Sequence, residues 1–408
     1  MKKSLFLLIA GLAILSLATM TFAQDNSAQV KGTMIAPAST HGLPQLKVRT
    51  PLYIFIPDRN TNPLVGAGET PASLACIYGL VANTPGCPKN GTLLPDGGSA
   101  AIAVLEYGDY SAIQSDLNTF STQYGLGGNS TLIHLCYPGP SCPANNGTGW
   151  DLEEALDVEY AHALAPHAQI IVVSFTNDPL GDNAEQSAAQ YIATNYTHGE
   201  ISNSWTYDGG ESWCGSGNCE LSYDSDFAQP GIVYFGAAGD SGLGPAYPSI
   251  SPNVVSAGGT DINRDGNGNF TNETCWSGSG GGISQYEPLP QYQLWIGNHT
   301  GPKRGTPDLA AIAGAQGVEI YSSTYCHGFC QVDGTSIATP VLAAIVNQSG
   351  LFRNNTLLEL SPTYQNILNP VKYHTRLFDV TSGSNGSPAG PGWDQCTGLG
   401  SIRQPQYF

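Results

Sequence analysis

Residues 334–340 have the composition expected of a serine nucleophile at the start of a helix. Their sequence is GTSIATP, and the apolar run 341–346 follows at once. A serine in the first turn of a helix lies near the positive end of the helix dipole, and its free N–H can bind an oxyanion. Thr335 or Ser336 could instead only cap the helix. Pro340 makes the pattern more specific and favours Ser336 as a nucleophile.

Such a serine needs a base, and histidine is the usual one. The chain has eight histidines. His41, His198 and His327 precede glycine but lack the neighbours of a catalytic histidine motif. Carboxylates are therefore the candidate bases.

A pair of carboxylates at helical spacing opens a second predicted helix. Residues 150–157 read WDLEEALD, and the spacing of four puts Glu153 and Asp157 on one face. Two adjacent carboxyls resist double ionisation, so one of them has a raised pKa and can pass a proton. A solvated helix face is the plain alternative. The neighbouring apolar residues Leu156, Val158 and Ala161 favour a partly buried site.

A third candidate, Asp240, follows an apolar strand in the turn FGAAGDSG, residues 235–242. The C-terminal tips of parallel strands face the usual active-site crevice of α/β folds. A protonated carboxyl there can donate a hydrogen bond to a developing oxyanion. Taken alone, the GDSG sequence is more typical of a plain turn.

These candidates need a scaffold, and the apolar pattern predicts an α/β fold. Short apolar runs with the length of fully buried strands occupy residues 100–106, 169–175, 232–237 and 253–257. Helical patterns alternate with them at residues 111–124, 152–164 and 184–195. This order predicts a parallel sheet covered by helices on both sides, with function at the C-terminal ends of its strands.

The N-terminus has the pattern of an export signal. Lys2 and Lys3 precede an apolar run, and Thr21-Phe22-Ala23 resembles a signal-peptide cleavage site. We expect residues 1–23 to be a signal peptide, residues 24–49 a polar linker, and residues 50–408 one domain. No later stretch has membrane-spanning length, so we expect a secreted or periplasmic protein without a membrane partner.

Composition narrows the class of protein further. The chain carries 14 Lys and Arg against 32 Asp and Glu, and it lacks the basic clusters that bind nucleic acid. Simple solubility and adaptation to low pH both explain this acidity. Ten cysteines behind an export signal predict disulfides rather than metal ligands. Proximity predicts the pairs Cys76–Cys87, Cys136–Cys142, Cys214–Cys219 and Cys326–Cys330, which leaves Cys275 with Cys396.

The order of the motifs resembles the sedolisin, or serine-carboxyl peptidase, family. That order is an E-x-x-x-D helix followed by Ala165-Pro166, then AAGD, then GTSxATP near the C-terminus. The segments 202–205 (SNSW), 280–284 and 305–309 (GTPDL) agree with it. The resemblance covers residues 50–408 and implies a three-layer subtilisin-like α/β fold with a mostly parallel central sheet.

The resemblance also implies a role for each site residue. Ser336 attacks the scissile carbonyl, Glu153 takes its proton, and Asp157 positions Glu153. Asp240, protonated in acid, shares the oxyanion with the Ser336 N–H. A carboxyl base suits proton transfer only at low pH, which favours the acid interpretation of the composition. The implied enzyme is a monomeric exported endopeptidase that hydrolyses proteins or peptides through an acyl-enzyme.

One structural calcium ion is implied near the C-terminus. The sequence FDV at 378–380 and GPGWD at 390–394 match the family pattern D-[IV]…G-x-G-x-D. The implied ligands are the carboxylates of Asp379 and Asp394 and the carbonyls of Val380, Gly390 and Gly392, a set of hard oxygens that suits Ca²⁺.

One departure from the family concerns its prosegment. The family is usually made with a long N-terminal prosegment that assists folding and blocks the site, whereas only residues 24–49 separate the predicted signal from the predicted domain. A separate prosegment chain or chaperone is therefore a candidate partner.

Two rival interpretations of the function remain. The first is an inactive relative that serves as an exported binding or surface protein. The residue types at all four catalytic positions argue against it, because an inactive protein has no chemical need to keep them. The second is a Ser-His-Asp subtilase active at neutral or alkaline pH, which requires a histidine motif that the sequence does not show.

Overall fold

The computed structural model describes residues 32–35, 47–57, 68–128, 130–214, 219–314 and 317–408. The predicted signal peptide lies outside these residues, as does most of the predicted linker. The part of the linker that is described forms two short strands, Gly32–Ile35 and Val48–Arg49. The boundary between linker and domain at residues 49 and 50 stays a prediction.

The described elements are numbered along the chain. The strands are β1 (Gly32–Ile35), β2 (Val48–Arg49), β3 (Tyr53–Pro57), β4 (Ala101–Tyr107), β5 (Ile133–Tyr137), β6 (Gln169–Phe175), β7 (Gly199–Asn203), β8 (Thr206–Tyr207), β9 (Ile232–Ala237), β10 (Val254–Arg264), β11 (Phe270–Cys275), β12 (Gly282–Pro288), β13 (Lys303–Thr306), β14 (Leu309–Gly314), β15 (Val318–Ser322), β16 (Gly328–Asp333), β17 (Leu377–Phe378) and β18 (Ser401–Ile402). The α-helices are α1 (Pro71–Ile77), α2 (Ile113–Tyr124), α3 (Trp150–Leu164), α4 (Ala184–Asn195), α5 (Glu220–Tyr223), α6 (Gly297–Thr300), α7 (Thr335–Ser349), α8 (Thr356–Gln365) and α9 (Pro370–Arg376).

An eight-stranded sheet lies at the centre, with the order β11-β10-β9-β7-β4-β6-β5 and with β14 paired to β10. Every pairing in it is parallel except β10–β11. Successive side chains of a strand point to opposite faces. Accordingly, Ile102 and Val104 of β4 join one core cluster, and Ala103 and Leu105 join a second. The predicted α/β fold with a mostly parallel central sheet is confirmed.

Helices cover both faces of this sheet, as the alternation of patterns predicted. Helices α3 and α7 pack against each other, and α7 also packs on β7, β9, β10 and β14. Helix α4 packs on β4, β6 and β7, and its residues Ala184, Ala188 and Ile192 belong to the second core cluster. A smaller sheet has the order β1-β3-β16-β15, and β2 pairs separately with β8.

Five disulfides join the cysteines in the predicted pairs, four that proximity indicated and the one that remained. They are Cys76–Cys87, Cys136–Cys142, Cys214–Cys219, Cys275–Cys396 and Cys326–Cys330. This set fits an oxidising compartment outside the cytoplasm. Among the residues that the structure describes, no helix combines the length and the apolar character that crossing a bilayer requires.

A buried ion pair anchors the segment that leads into β14. Arg304 and Asp308 are both fully buried, and the Arg304 guanidinium donates to Asp308 Oδ2 at 2.8 Å and Oδ1 at 3.1 Å. Asp308 also accepts from the Tyr364 hydroxyl at 2.7 Å and from the Ser256 N–H at 2.8 Å. Asp308 therefore ties β13, β14, β10 and α8 together.

We expect Asp308→Ala to lower the free energy of unfolding by about 3–5 kcal/mol, because it leaves the Arg304 charge buried without its partner. Denaturant unfolding followed by circular dichroism measures the change. Asp96→Ala is the matched control, since Asp96 is exposed and, among the described residues, pairs with exposed His167. An unchanged midpoint for Asp308→Ala would show that the pair does not support the fold.

Candidate active site

Ser336 lies in the first turn of α7, which begins at Thr335 with Gly334 as its N-cap. The residue is fully buried. Pro340, four residues later, has no N–H to donate to the Ser336 carbonyl. That carbonyl instead accepts a hydrogen bond from Ser204 Oγ at 3.3 Å. Because the proline of the GTSIATP motif leaves this carbonyl without its helical partner, the carbonyl can accept from Ser204, and this contact joins α7 to the segment after β7.

Glu153 of α3 is the carboxyl that faces Ser336. Burial and the charge of Asp157 raise the pKa of Glu153 well above its usual value, whereas the hydroxyls of Ser336 and Thr50 lower it. No hydrogen bond of normal length reaches the Glu153 carboxyl or the Ser336 hydroxyl from the described residues. The hydroxyl is therefore free to turn toward the carboxylate, a contact that often tightens only when substrate binds.

Asp157, one turn further along α3, connects Glu153 to a third carboxyl. Its Oδ1 lies 2.9 Å from Ser204 Oγ, whose single hydroxyl proton is shared between this oxygen and the Ser336 carbonyl. Glu106 of β4 lies beside it, and burial together with the charges of Asp157 and Glu153 raises the pKa of Glu106 well above its usual value. All three carboxyls are fully buried. Since like charges this close cannot all ionise, the group shares protons and titrates as a unit.

Asp240 reaches the same helix start from the tip of β9. Its Oδ1 accepts hydrogen bonds from the Thr335 N–H at 2.8 Å and from the Thr335 hydroxyl at 2.7 Å. Its Oδ2 is buried and has no partner among the described residues. Burial raises the pKa of Asp240 to about 8, partly offset by the two bonds from Thr335. Below that pH the carboxyl is neutral, and Oδ2 can donate a proton into the cleft.

The structure thus brings the four predicted site residues to one place. Ser336 and Asp240 meet at the N-terminus of α7, and Glu153 and Asp157 approach from α3. The arrangement provides a hydroxyl nucleophile, a carboxylate that can accept its proton, and a neutral carboxyl beside the Ser336 N–H at a helix start. These are the parts that acyl transfer requires.

The middle of the chain matches a known family. Residues 143–357, slightly more than half of the chain, match the model of the subtilase family. The chain belongs to the subtilase family. Within this subtilase, the matched range includes Ser336, Glu153, Asp157 and Asp240.

Curated relatives extend the match beyond that range. The subtilase is 30% identical over 339 residues to kumamolisin from Bacillus sp. (strain MN-32), which covers 75% of this chain and 59% of kumamolisin. It is 31% identical over 172 residues to sedolisin from Pseudomonas sp. (strain 101), covering 38% of this chain and 28% of sedolisin. It is 27% identical over 383 residues to tripeptidyl-peptidase 1 from Rattus norvegicus, covering 83% of this chain and 63% of that protein. The chain therefore spans less than two thirds of the length of each of these homologues.

A solved structure shares the fold. Sedolisin from Pseudomonas, a serine-carboxyl proteinase complexed with two molecules of pseudo-iodotyrostatin, aligns with a TM-score of 0.64 at 22% identity. The alignment covers 82% of this chain and 95% of the sedolisin chain. The subtilase is thus a homologue of sedolisin and kumamolisin with the sedolisin fold.

Glu106 is the site residue that the motifs did not indicate. It occupies the sixth position of the strand AIAVLEY, which is otherwise apolar up to its last residue and is buried throughout. An ionised carboxylate cannot be buried there without a partner, so the side chain must stay neutral or interact with another charge. This conflict between residue type and strand pattern is the signal in the sequence that could have identified it.

We expect Asp240→Ala to lower kcat by about 10²- to 10³-fold, because it removes a donor aimed at the oxyanion. Asp240→Asn keeps a donor in the same place. In the wild type, activity should fall as the pH rises through about 8, where Asp240 loses its proton. The asparagine variant should lose that decline, and a pH–rate profile of all three proteins measures it. An Asp240→Ala protein as active as the wild type would exclude Asp240 from catalysis.

The residues predicted to hold calcium lie around one loop. Asp379 accepts from the Gly392 N–H at 3.1 Å, and Asp394 accepts from the Gly390 N–H at 3.0 Å. In the described part of the chain, no hydrogen bond ends on the carbonyls of Val380, Gly390 or Gly392. That part also holds no cluster of three or more His, Cys, Asp or Glu arranged for a metal. The oxygens present, two carboxylates and free carbonyls, fit a calcium ion better than a transition metal.

Proposed function

We propose that this subtilase is an exported serine-carboxyl endopeptidase that is active in acid. The observation that supports this proposal most directly is that a carboxyl group, and not an imidazole, faces the Ser336 hydroxyl. Ser336 Oγ would attack the scissile carbonyl carbon as Glu153 takes its proton, and the Ser336 N–H and the neutral Asp240 carboxyl would hold the oxyanion. As this intermediate collapses, Glu153 would pass the proton to the leaving nitrogen, so that the amine departs and an acyl-enzyme on Ser336 remains. Glu153 would then take a proton from the attacking water and return it to Ser336 Oγ as the acyl product leaves.

The carboxyls behind Glu153 would position it and share its proton. Ser204 Oγ lies 2.9 Å from Asp157 Oδ1 and 3.3 Å from the Ser336 carbonyl oxygen, so one side chain connects the positioning carboxyl to the residue that carries the nucleophile. Glu106, whose pKa burial raises, would supply the neutral member of the group. A partly protonated chain of carboxyls can place one negative charge on Glu153 without placing three charges together.

Buried carboxyl groups in the interior favour stability of the folded state at acidic pH. Burial raises the pKa of Glu185 and Glu200 to about 8, and that of Glu359 to about 7. The folded state therefore keeps protons that the unfolded chain releases near pH 4.5. Each such group stabilises the fold fully below its unfolded pKa and loses that contribution as the pH rises through its folded pKa. Stability should accordingly decline from about pH 4.5 to about pH 8.

The product pattern tests the function and the type of cleavage together. A denatured protein is incubated with the purified mature chain from about pH 3 to about pH 8, and mass spectrometry identifies the products, with a Ser336→Ala preparation as the background control. We expect internal cuts whose rate is highest below about pH 8, where Asp240 keeps its proton, and above the raised pKa of Glu153. A ladder of tripeptides would instead assign a tripeptidyl peptidase, and no products from a folded chain would favour the inactive binding protein.

Calcium, if bound, would tie Asp379 and Asp394 to the loop 390–394 and stabilise the C-terminal part of the domain. We expect EGTA to lower the melting temperature by on the order of 5 °C, because a ligand held at 100 times its dissociation constant stabilises by about 2.7 kcal/mol. Added Ca²⁺ should restore the melting temperature and Mg²⁺ should not, since Mg²⁺ demands a tighter octahedral site. An Asp379→Ala protein should no longer respond to EGTA; a melting temperature that EGTA leaves unchanged in the wild type would contradict the site.

A further inference from the structure

A group of exposed apolar side chains lies on one side of the domain. Of the eleven large apolar side chains that are exposed among the described residues, six come from α8, α9 and two short 3-10 helices, Gln291–Ile296 and Asn366–Leu368. These six, here named the apolar patch, are Leu294, Trp295, Leu357, Leu358, Leu368 and Val371. The most exposed are Val371 at 78% and Leu368 at 60%. Single exposed apolar residues are common, whereas a cluster of them marks a binding surface.

The four helices that carry the patch pack against one another. The Tyr364 ring of α8 lies 5.4 Å from the Tyr292 ring of the first 3-10 helix, and the Tyr364 hydroxyl accepts from Gln293 Nε2 at 2.7 Å. The second 3-10 helix follows α8 directly, and its Asn366 side chain accepts from the Arg376 guanidinium of α9 at 3.1 Å. The inner sides of these helices therefore hold each other in place, and the patch belongs to one surface of the folded domain.

The core does not account for the apolar residues of the patch. Leu360 and Tyr364, one turn apart on α8, are buried, whereas Leu357 and Leu358 of the same helix are exposed. In α9 the buried residue is Tyr373. A surface helix of a globular protein usually turns its apolar stripe inward and its polar residues outward. These two helices carry apolar residues on their outer side as well.

The charged residues around the patch are basic. The segments that carry it, 289–303 and 350–376, contain one carboxyl group, that of Glu359, which is buried. Their basic residues are Lys303, Arg353, Lys372 and Arg376. Arg353 lies 3.9 Å from Glu359 and offsets it, so the other three give these segments a net positive charge. The whole chain, in contrast, has a net charge of −18. The patch is thus apolar with a basic rim on an acidic protein.

Charge selects among the partners that could cover such a surface. A second copy of the chain would bring two basic rims together, because a two-fold interface uses the same patch on both sides. An acidic protein would lose most of its charge at the acidic pH of the proposed activity, as its carboxylates take up protons. A phosphate diester keeps its negative charge there, and a phospholipid bilayer adds apolar acyl chains beneath it. Such a bilayer therefore offers both groups that the patch can bind.

We propose that the apolar patch attaches this protein to the surface of an anionic phospholipid bilayer. Tryptophan and leucine side chains enter the boundary between headgroups and acyl chains, while lysine and arginine stay at the level of the phosphates. The sequence-based expectation of no membrane partner concerned spanning segments, and this peripheral attachment revises it. The choice of lipid over an acidic protein rests on the proposed activity in acid, whereas the patch itself does not.

The patch begins at the sheet edge opposite the catalytic residues. The Gly231 N–H, just before β9, donates to the Asn354 carbonyl at 2.8 Å, and α8 with Leu357 starts two residues later. Asp240 follows the other end of β9. Attachment through the patch therefore leaves the cleft at Ser336 open to substrate.

Vesicle sedimentation tests the proposal. The Ser336→Ala protein is used at about pH 5, so that self-cleavage cannot affect the result, with vesicles of pure phosphatidylcholine or of an equimolar mixture of phosphatidylcholine and phosphatidylglycerol. We expect at least tenfold stronger binding to the anionic vesicles, because each basic residue near an anionic surface strengthens attachment. Binding should weaken as salt is added, since salt screens the basic rim.

A pair of double variants tests the apolar part of the patch. Leu368→Ser/Val371→Ser should weaken binding to the anionic vesicles about tenfold, because less apolar surface leaves water. Leu93→Ser/Leu221→Ser is the matched control, since these two leucines are also exposed and lie outside the four helices. All four positions are exposed, so the fold should be retained, and circular dichroism checks it.

A second pair tests the basic rim. Lys372→Gln should weaken binding to the anionic vesicles about fivefold, the usual effect of one basic residue at such a surface. Asn118→Asp on α2 lowers the net charge by the same amount at an exposed position away from the patch. It should leave binding within about twofold of the parent protein.

Three results would overturn the proposal. The first is equal binding of the Ser336→Ala protein to both kinds of vesicle, and the second is patch variants that bind anionic vesicles as well as their controls do. The third is a dimer in sedimentation velocity that Leu368→Ser/Val371→Ser dissociates, because a second copy would then cover the patch. None of these measurements requires cleavage, so a failure of the proposed peptidase function would be seen separately.

Discussion

Ser336→Ala should lower kcat for hydrolysis of a denatured protein by about 10⁴- to 10⁶-fold, because removing the nucleophile leaves only binding and oxyanion stabilisation. Ser336 lies in the first turn of α7 beside Glu153, with the oxyanion groups at the same helix start. Its fold should be unaffected, since no hydrogen bond from the described residues reaches its hydroxyl.

Ser349→Ala is the matched control for that loss. Ser349 is the last residue of the same helix, and its hydroxyl donates to the Phe408 carbonyl, away from the site. It should change kcat by less than about twofold, as surface substitutions usually do little. Both variants are compared by their steady-state rates at the optimum pH, with each rate divided by the concentration of folded protein. A Ser336→Ala protein that keeps more than a tenth of the activity would refute the serine mechanism.

Glu153→Gln should lower kcat by about 10²- to 10⁴-fold, which is the usual contribution of a general base. Glutamine has nearly the same shape as glutamate but cannot accept the Ser336 proton. In the wild type the rate should rise with pH as Glu153 ionises, because only its carboxylate is a base. Burial and the Asp157 charge raise the pKa of Glu153, so this rise should lie above the usual range of a glutamate. The glutamine variant should lack it.

Glu159→Gln provides the control for this second substitution. Glu159 lies further along α3 and is equally buried, but its carboxylate accepts from the Tyr321 N–H at 2.9 Å and not from the site. We expect a pH–rate profile close to that of the wild type. If both glutamines lower kcat equally, the effect would belong to the packing of α3 and not to proton transfer.

Much of this protein is determined by local sequence. The strand AIAVLEY, the helix that begins at Trp150 and the GTSIATP helix start were predictable because the periodicity of apolar residues and the chemistry of helix starts are local properties. The disulfides were predictable because four of the five close short loops. Motif order was enough to predict the family and the mostly parallel sheet.

Other features were decided only by the tertiary structure, because they depend on which distant residues meet. Glu106 belongs to the site because β4 lies beside α3, and no spacing rule links residues 106 and 157. Asp308 is a structural anchor only because Arg304 is buried against it. Residues 48–53 belong to the predicted polar linker and domain start in the sequence, and their pairing with β8 and β16 joins segments more than 150 residues apart in the chain. Local pattern selects the strands and helices, whereas the pKa of each buried carboxyl follows from the neighbours that folding places around it.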